Sequence, residues 1–116
     1  MHIEGSAKLL RIFIGESDVY RHVPVHELIV QEARKAGLAG ATVFKGIMGF
    51  GGSSLIHSAK ILRLSEDLPL IIEIVDEEAK IEGFIPHVEN IFESANCGGL
   101  ITIEAAQIIK YVAMKK

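Results

Sequence analysis

Two stretches of this sequence follow one plan. An apolar strand, an acid-bearing turn, an amphipathic helix of about four turns and a glycine-containing exit into a further strand occur in the first half and again in the second. In the first copy, residues 7–14 (AKLLRIFI) set Leu10, Ile12 and Ile14 against Leu9, Arg11 and Phe13, the period-two alternation of a strand. Gly15-Glu16-Ser17-Asp18 breaks it, and Pro24 suits the first turn of a helix. Val25, Leu28, Ile29, Ala33 and Ala36 then recur at helical spacing, Arg34 and Lys35 favour the carboxyl end, and Gly37 can close it. Residues 41–45 (ATVFK) form the exit strand.

In the second copy the strand is residues 70–75 (LIIEIV). Asp76 is expected to cap the helix, with Glu77 and Glu78 in its first turn. Ile81, Ile85, Val88, Phe92 and Ala95 are its expected buried stripe, and Pro86 predicts a kink, or a break near Gly83. Asn96-Cys97-Gly98-Gly99 ends the helix, residues 100–104 (LITIE) form a strand, and residues 107–112 read as a short strand or a terminal helical turn. Between the copies lies Gly46-Ile47-Met48-Gly49-Phe50-Gly51-Gly52-Ser53-Ser54, read as a loop extending to 58, and residues 59–64 look extended.

A β-α-β, loop, β-α-β order in 116 residues predicts one α+β domain over 1–116, a ferredoxin-like split βαβ sandwich (βαββαβ). Both helices then cover one face of an antiparallel sheet. The other face is left bare, yet residues 70–75 are apolar on both sides, so neighbouring subunits are expected to bury it. A hydrophobic content of 49% agrees with that surplus. It should centre on Leu70, Ile72 and Ile74, or on their alternating neighbours Ile71 and Val75.

Charge and cysteine content narrow the setting. Twelve basic against fifteen acidic residues give a net charge of −3, without the basic excess of a nucleic-acid binder. Cys97 is alone, so no intrachain disulfide or multi-cysteine zinc site forms. Met1-His2-Ile3-Glu4-Gly5 has an acid where a signal peptide is basic, and no apolar run is long enough to span a membrane, so the cytoplasm is the expected location.

Glycines in the central loop could turn backbone N–H groups toward an anion, or simply form a hairpin tip. No Gly-Lys-Ser/Thr follows, and no helix opens after them, so neither common nucleotide fingerprint is present. His22 and His26 have helical i, i+4 spacing but no third ligand, and solvated histidines at a helix start are the simpler reading. His57 ends the loop and could pair with an anion or be an ordinary polar residue. Cys97 lies at the wrong helix end for thiolate activation. A nucleophile at Ser53, Ser54 or Ser58 would need a base. Glu66-Asp67 and Asp76-Glu77-Glu78 read as turn and cap acids, and Glu73 as facing an edge or a subunit contact.

The run Gly46-Ile47-Met48-Gly49-Phe50-Gly51, His57 and Leu64-Ser65-Glu66-Asp67-Leu68-Pro69 resembles an uncharacterised bacterial PII-like family, over roughly residues 7–112. Gly40-Ala41-Thr42-Val43, Gly49-Phe50-Gly51, Leu68-Pro69 and Gly98-Gly99 are similar to the PII nitrogen-regulatory signalling proteins themselves. The resemblance implies a homotrimer with its sheets facing inward and adenine nucleotide, ADP or ATP, in the clefts between subunits. Implied ligand contacts are Thr42, Gly46, Gly49, Phe50, Gly51, His57, Gly98, Gly99 and Lys110, with no metal. The chain departs from PII in carrying Asn96-Cys97 before the turn glycines and Leu100 after them, Gly52-Ser53 for Arg-Gln, and Lys110-Tyr111-Val112 for Arg-x-Arg. No loop tyrosine is present for nucleotidylylation.

The expected function is therefore a non-enzymatic, PII-like regulator that binds a small anionic effector and signals through the loop, with a membrane transporter or channel as a possible target. Alternatives are a ligand-independent interaction module, or a small enzyme with His57 as base.

Overall fold

The structure, a computed structural model, describes residues 5–52, 57–58 and 67–113. Its elements are β1 (Gly5–Gly15), β2 (Val19–Tyr20), β3 (Val23–Pro24), α1 (Val25–Lys35), β4 (Thr42–Lys45), β5 (Met48–Gly49), β6 (His57–Ser58), β7 (Pro69–Asp76), α2 (Glu78–Ala95) and β8 (Leu100–Ile108). Four of them form a sheet ordered β4-β7-β1-β8, antiparallel at every pairing. This is the expected split βαβ arrangement, with two short hairpins added.

Alternation on the central strands makes the core. Leu10, Ile12 and Ile14 of β1 and Leu70, Ile72 and Ile74 of β7 are buried against Val25, Ile29 and Ala33 of α1 and Ile81, Phe84 and Val88 of α2. The surplus on the second face therefore belongs to Ile71 and Val75, not to Leu70, Ile72 and Ile74. In α2, Phe84 takes a place in the buried stripe, while Ile85, Phe92 and Ala95 flank the core half-buried.

Helix ends follow their residues. Gly37 has φ +78°, its N–H donates to the Arg34 carbonyl at 3.1 Å, and the Leu38 N–H donates to that of Ala33 at 3.1 Å. This double closure is a Schellman motif that needs a left-handed residue. α2 runs unbroken over eighteen residues with Pro86 inside it, so the break near Gly83 does not occur. Pro86 is exposed, so its ring fits on the solvent side of the helix.

Other expectations need correcting. Asp76 is the last residue of β7 and wholly buried, and Glu77 occupies the α2 cap position without a side-chain bond. β8 is one nine-residue strand through Ile108, because β1 offers it partners as far as Gly5. His22 precedes α1 in a turn, with φ 70°, so it does not share a helical face with His26. Arg21 and His22, both at positive φ, close the unanticipated β2–β3 hairpin. The region 46–58 is not all loop, since Met48 pairs with Ser58 and Gly49 with His57. The strand expected at 59–64 lies outside the described residues.

Candidate functional site

The glycine-bearing hairpin grows out of one end of the sheet and is rooted there by backbone and charge. The Gly46 N–H donates to the Pro69 carbonyl at 2.7 Å, continuing the β4–β7 pairing by one residue. A Cβ on Gly46 would stand 2.7 Å from the Pro69 Cγ, and one on Gly49 3.1 Å from it. Glycine at 46 thus allows the backbone to lie on the proline ring. Lys45 Nζ reaches Glu16 Oε2 at 2.7 Å. The Glu16 N–H donates to the Leu68 carbonyl at 2.9 Å, and the Ser17 N–H to Asp67 Oδ1 at 2.9 Å. Beyond this root the described residues are open: Ile47 is 79% and Phe50 69% exposed, and a Cβ on Gly51 or Gly52 would meet nothing within 4 Å among the described residues.

Gly98 and Gly99 lie at the same end of the sheet, where Leu100 pairs with Phe13 and Gly15 with Pro69. Gly99 has a packing role, because its Cβ would stand 2.6 Å from the Phe13 carbonyl oxygen and 2.7 Å from the Phe92 ring. Gly98 faces open space. Asp18 lies close by, its Oδ2 accepting from the Gly15 N–H at 2.9 Å. Burial pushes the Asp18 carboxyl above the usual carboxylate range, repulsion from Asp67 adds to this, and the Gly15 bond opposes it. Burial likewise raises the Cys97 thiol, reinforced by the charge of Asp18, the direction opposite to thiolate activation.

Lys110 stands at the opposite end. Eight residue steps along β8 separate Leu100 from Ile108, about 27 Å at strand rise. After β8 the chain docks on the turn that leads into β4, with Tyr111 Oη donating to the Ala39 carbonyl at 3.0 Å. The Ala39 N–H donates to Asp76 Oδ2 at 2.8 Å, and Asp76 Oδ1 accepts from the Glu77 N–H at 2.7 Å. Asp76 therefore ties the end of β7, the start of α2 and the α1–β4 turn together by accepting hydrogen bonds from two backbone N–H groups. A cavity of about 320 Å³ opens here, lined by Ala39, Val75, Ile108, Ile109, Lys110 and Tyr111. The resemblance selected Lys110, whereas Asp76 and Tyr111, whose hydrogen bonds to Ala39 tie this corner together, were not singled out for that part. Only the tyrosine beside the lysine hinted at a docked tail. Thr42 pairs with Glu73 midway along β7 and shares its open side of the sheet.

One chain thus gathers Gly46, Gly49, Gly98 and Gly99 at one end and leaves Lys110 at the other. Phe50 and Gly51 extend from the first group, whereas the side chain of His57, together with Ser53 and Ser54, lies outside the described residues. Among the described residues, no three His, Cys, Asp or Glu side chains are grouped to hold a metal ion. Nor is any described helix long and apolar enough to cross a membrane.

The open face of the sheet carries the remaining chemistry. Arg11 Nε donates to Glu73 Oε2 at 2.9 Å, and its Nη1 donates to Glu104 Oε1. Glu73 faces this side and not the core, as the cost of burying an ionised carboxylate leads one to expect. Its hydrogen bond is the largest of the effects that hold the Arg11 guanidinium above its ordinary value, with the charge of Glu104 adding to it.

Sheet order, helix placement and the hairpin between the second and third main strands define the fold of PII-like proteins. The chain aligns with CPII, a nitrogen regulatory PII-like protein from Thiomonas intermedia K12 bound to ADP, AMP and bicarbonate, at TM-score 0.68 and 16% identity, covering 93% of this chain and 91% of that one. The apo form of CPII aligns at TM-score 0.63 and 14% identity, over 97% and 100% of the two chains. Residues 7–108 match the family DUF190, described as "Uncharacterized ACR, COG1993", and the chain belongs to that family. It is 37% identical over 102 residues to a UPF0166 protein of Aquifex aeolicus, covering 88% of this chain and 92% of the relative. A UPF0166 protein of Methanocaldococcus jannaschii is 36% identical over 104 residues, covering 90% and 93%.

Proposed function

We propose that this protein is a homotrimeric regulator that binds an adenine nucleotide, ADP or ATP, between subunits and signals through the segment 46–58. The observation that carries the reading is the separation of the candidate contacts. A chain with a PII-like fold places its glycine hairpin and its Lys110 at opposite ends of the sheet, so one ligand touches both only where two copies meet. Backbone amides of Gly49, Phe50 and Gly51, with the Gly98 turn, would face the phosphates of one ligand while Lys110 of another copy supplies charge. Thr42 would hydrogen-bond the base. The fold's likeness to CPII, whose structure holds ADP and AMP, supports the choice of nucleotide. The ligand signals by binding one arrangement of the hairpin more tightly than another. A membrane transporter or channel is the class of target that the resemblance to PII proteins suggests.

Thermal melts with and without ADP or ATP test this. At a hundredfold excess over Kd the stabilisation is about 2.7 kcal/mol, a rise in Tm on the order of 10 °C. Gly51→Val is the clean probe, since a Cβ at 51 meets nothing within 4 Å among the described residues. It should melt like the wild type without ligand and lose the shift with it. No shift with any adenine nucleotide at saturating concentration would overturn the ligand assignment.

A second reading rests on the exposed Ile47, Met48 and Phe50, an apolar hairpin tip suited to docking on a partner without any ligand. Partner binding that is indifferent to nucleotide would favour it.

A further inference from the structure

We infer that Arg11 decides whether this chain can cover its open sheet face with further copies of itself. The inference rests on the assembly part of the reading above and is independent of the nucleotide.

The face is apolar across all four main strands. Leu9, Phe13, Phe44, Ile71, Val75 and Leu100 share it by register, and Phe44 is 48% and Leu100 54% exposed. Its charged residues are Arg11 in the middle, Glu73 directly opposite on β7, and Glu104 diagonally across on β8. Two carboxylates at the centre of an apolar face would bar its burial, because desolvated anions without a counter-charge are costly. Arg11 uses different nitrogens for the two acids, Nε for Glu73 and Nη1 for Glu104, so one guanidinium spans three strands.

While the face is open to water, this cluster does little for the single chain: its side chains are 38%, 30% and 52% exposed, a setting in which ion pairs contribute little. Its value appears once the face is covered. Closed symmetry brings the same patch from each copy into the contact, so the patch must tolerate its own charges. Copies of this chain come nearest to that condition, since each arrives with both acids hydrogen-bonded to its own guanidinium, which offsets one of their two charges. A partner with a different surface would have to match the cluster separately.

Sedimentation velocity over a concentration series reads the effect. Wild type is expected to assemble. Arg11→Met should keep its far-ultraviolet circular dichroism while its association weakens at least about a hundredfold, because two unpaired carboxylates must then be buried. Arg11→Lys, which keeps the charge but cannot fork between two strands, should fall between them. Adding Glu73→Gln and Glu104→Gln to Arg11→Met should restore association to within about tenfold of wild type. A purely structural role for Arg11 would not produce that rescue. If Arg11→Met assembles as wild type does, or the folded triple variant fails to recover, this inference falls and the assembly reading stands. A monomeric wild type overturns both. Should Arg11→Met not fold, Arg11→Lys and the triple variant decide.

Discussion

Gly98 and Gly99 are neighbours with opposite requirements. A methyl group at 99 would overlap the Phe13 carbonyl and the Phe92 ring, whereas at 98 it meets open space. Gly99→Ala should therefore destabilise the fold by about 1–3 kcal/mol, as overpacking does. Gly98→Ala should stay within about 0.5 kcal/mol of wild type, and any loss of nucleotide binding in it reports on the ligand. Urea titrations of the two variants check this. Asp18 supplies a pH test. Its carboxyl is raised in the folded protein, so the stability linked to its proton is present below the unfolded value and is lost as pH rises through the folded one. Asp18→Asn should lose this dependence. Its Tm relative to wild type should rise from acid toward neutral pH, and a constant difference across that range would contradict the assignment.

Among the elements, α1 was legible almost to the residue, because its stripe and the Gly37 closure are both local signals. α2 was legible in extent but not in continuity. A proline in a helix normally removes one bond and crowds the preceding turn, yet here the packing of Ile81, Phe84 and Val88 on the sheet holds the helix unbroken. Pro86→Ala should restore the bond to the Glu82 carbonyl without losing any core contact. It is expected to stabilise by about 1–3 kcal/mol, read as a higher urea midpoint at unchanged slope. The far half of β8 carried little strand signal, since Ala105-Ala106-Gln107 has no apolar alternation. Only the length of β1 beside it extends the strand to Ile108. The β2–β3 hairpin was equally silent, because Arg21 and His22 at its turn are not the glycine or asparagine that usually announce positive φ.

For the whole molecule, the decisive fact is the distance between the glycine hairpin and Lys110. A site built from both requires two copies, so nucleotide affinity should depend on protein concentration. Titrations at fixed ADP should show weaker binding once the protein is diluted below its association range, and Arg11→Met should bind weakly at every concentration. Affinity independent of dilution in an assembling protein would place the ligand within one chain instead. The resemblance to PII proteins selected these residues as one site. Where they stand in a single chain could not be seen from spacing.

The sequence by itself determined the two βαβ units, the antiparallel sandwich and the presence of more apolar strand surface than two helices can cover, because hydrophobic period and glycine placement are local and repeat along the chain. It left two alternating sets of β7 residues as candidates for the bare face, since alternation identifies sides without orienting them. Tertiary structure decided which side the helices occupy, leaving Ile71 and Val75 in the open with Arg11 between Glu73 and Glu104. It also turned Asp76 from a helix cap into a buried tie between β7 and the turn at Ala39. Those outcomes depend on residues more than thirty positions apart meeting across the sheet, and only the packed chain fixes such meetings.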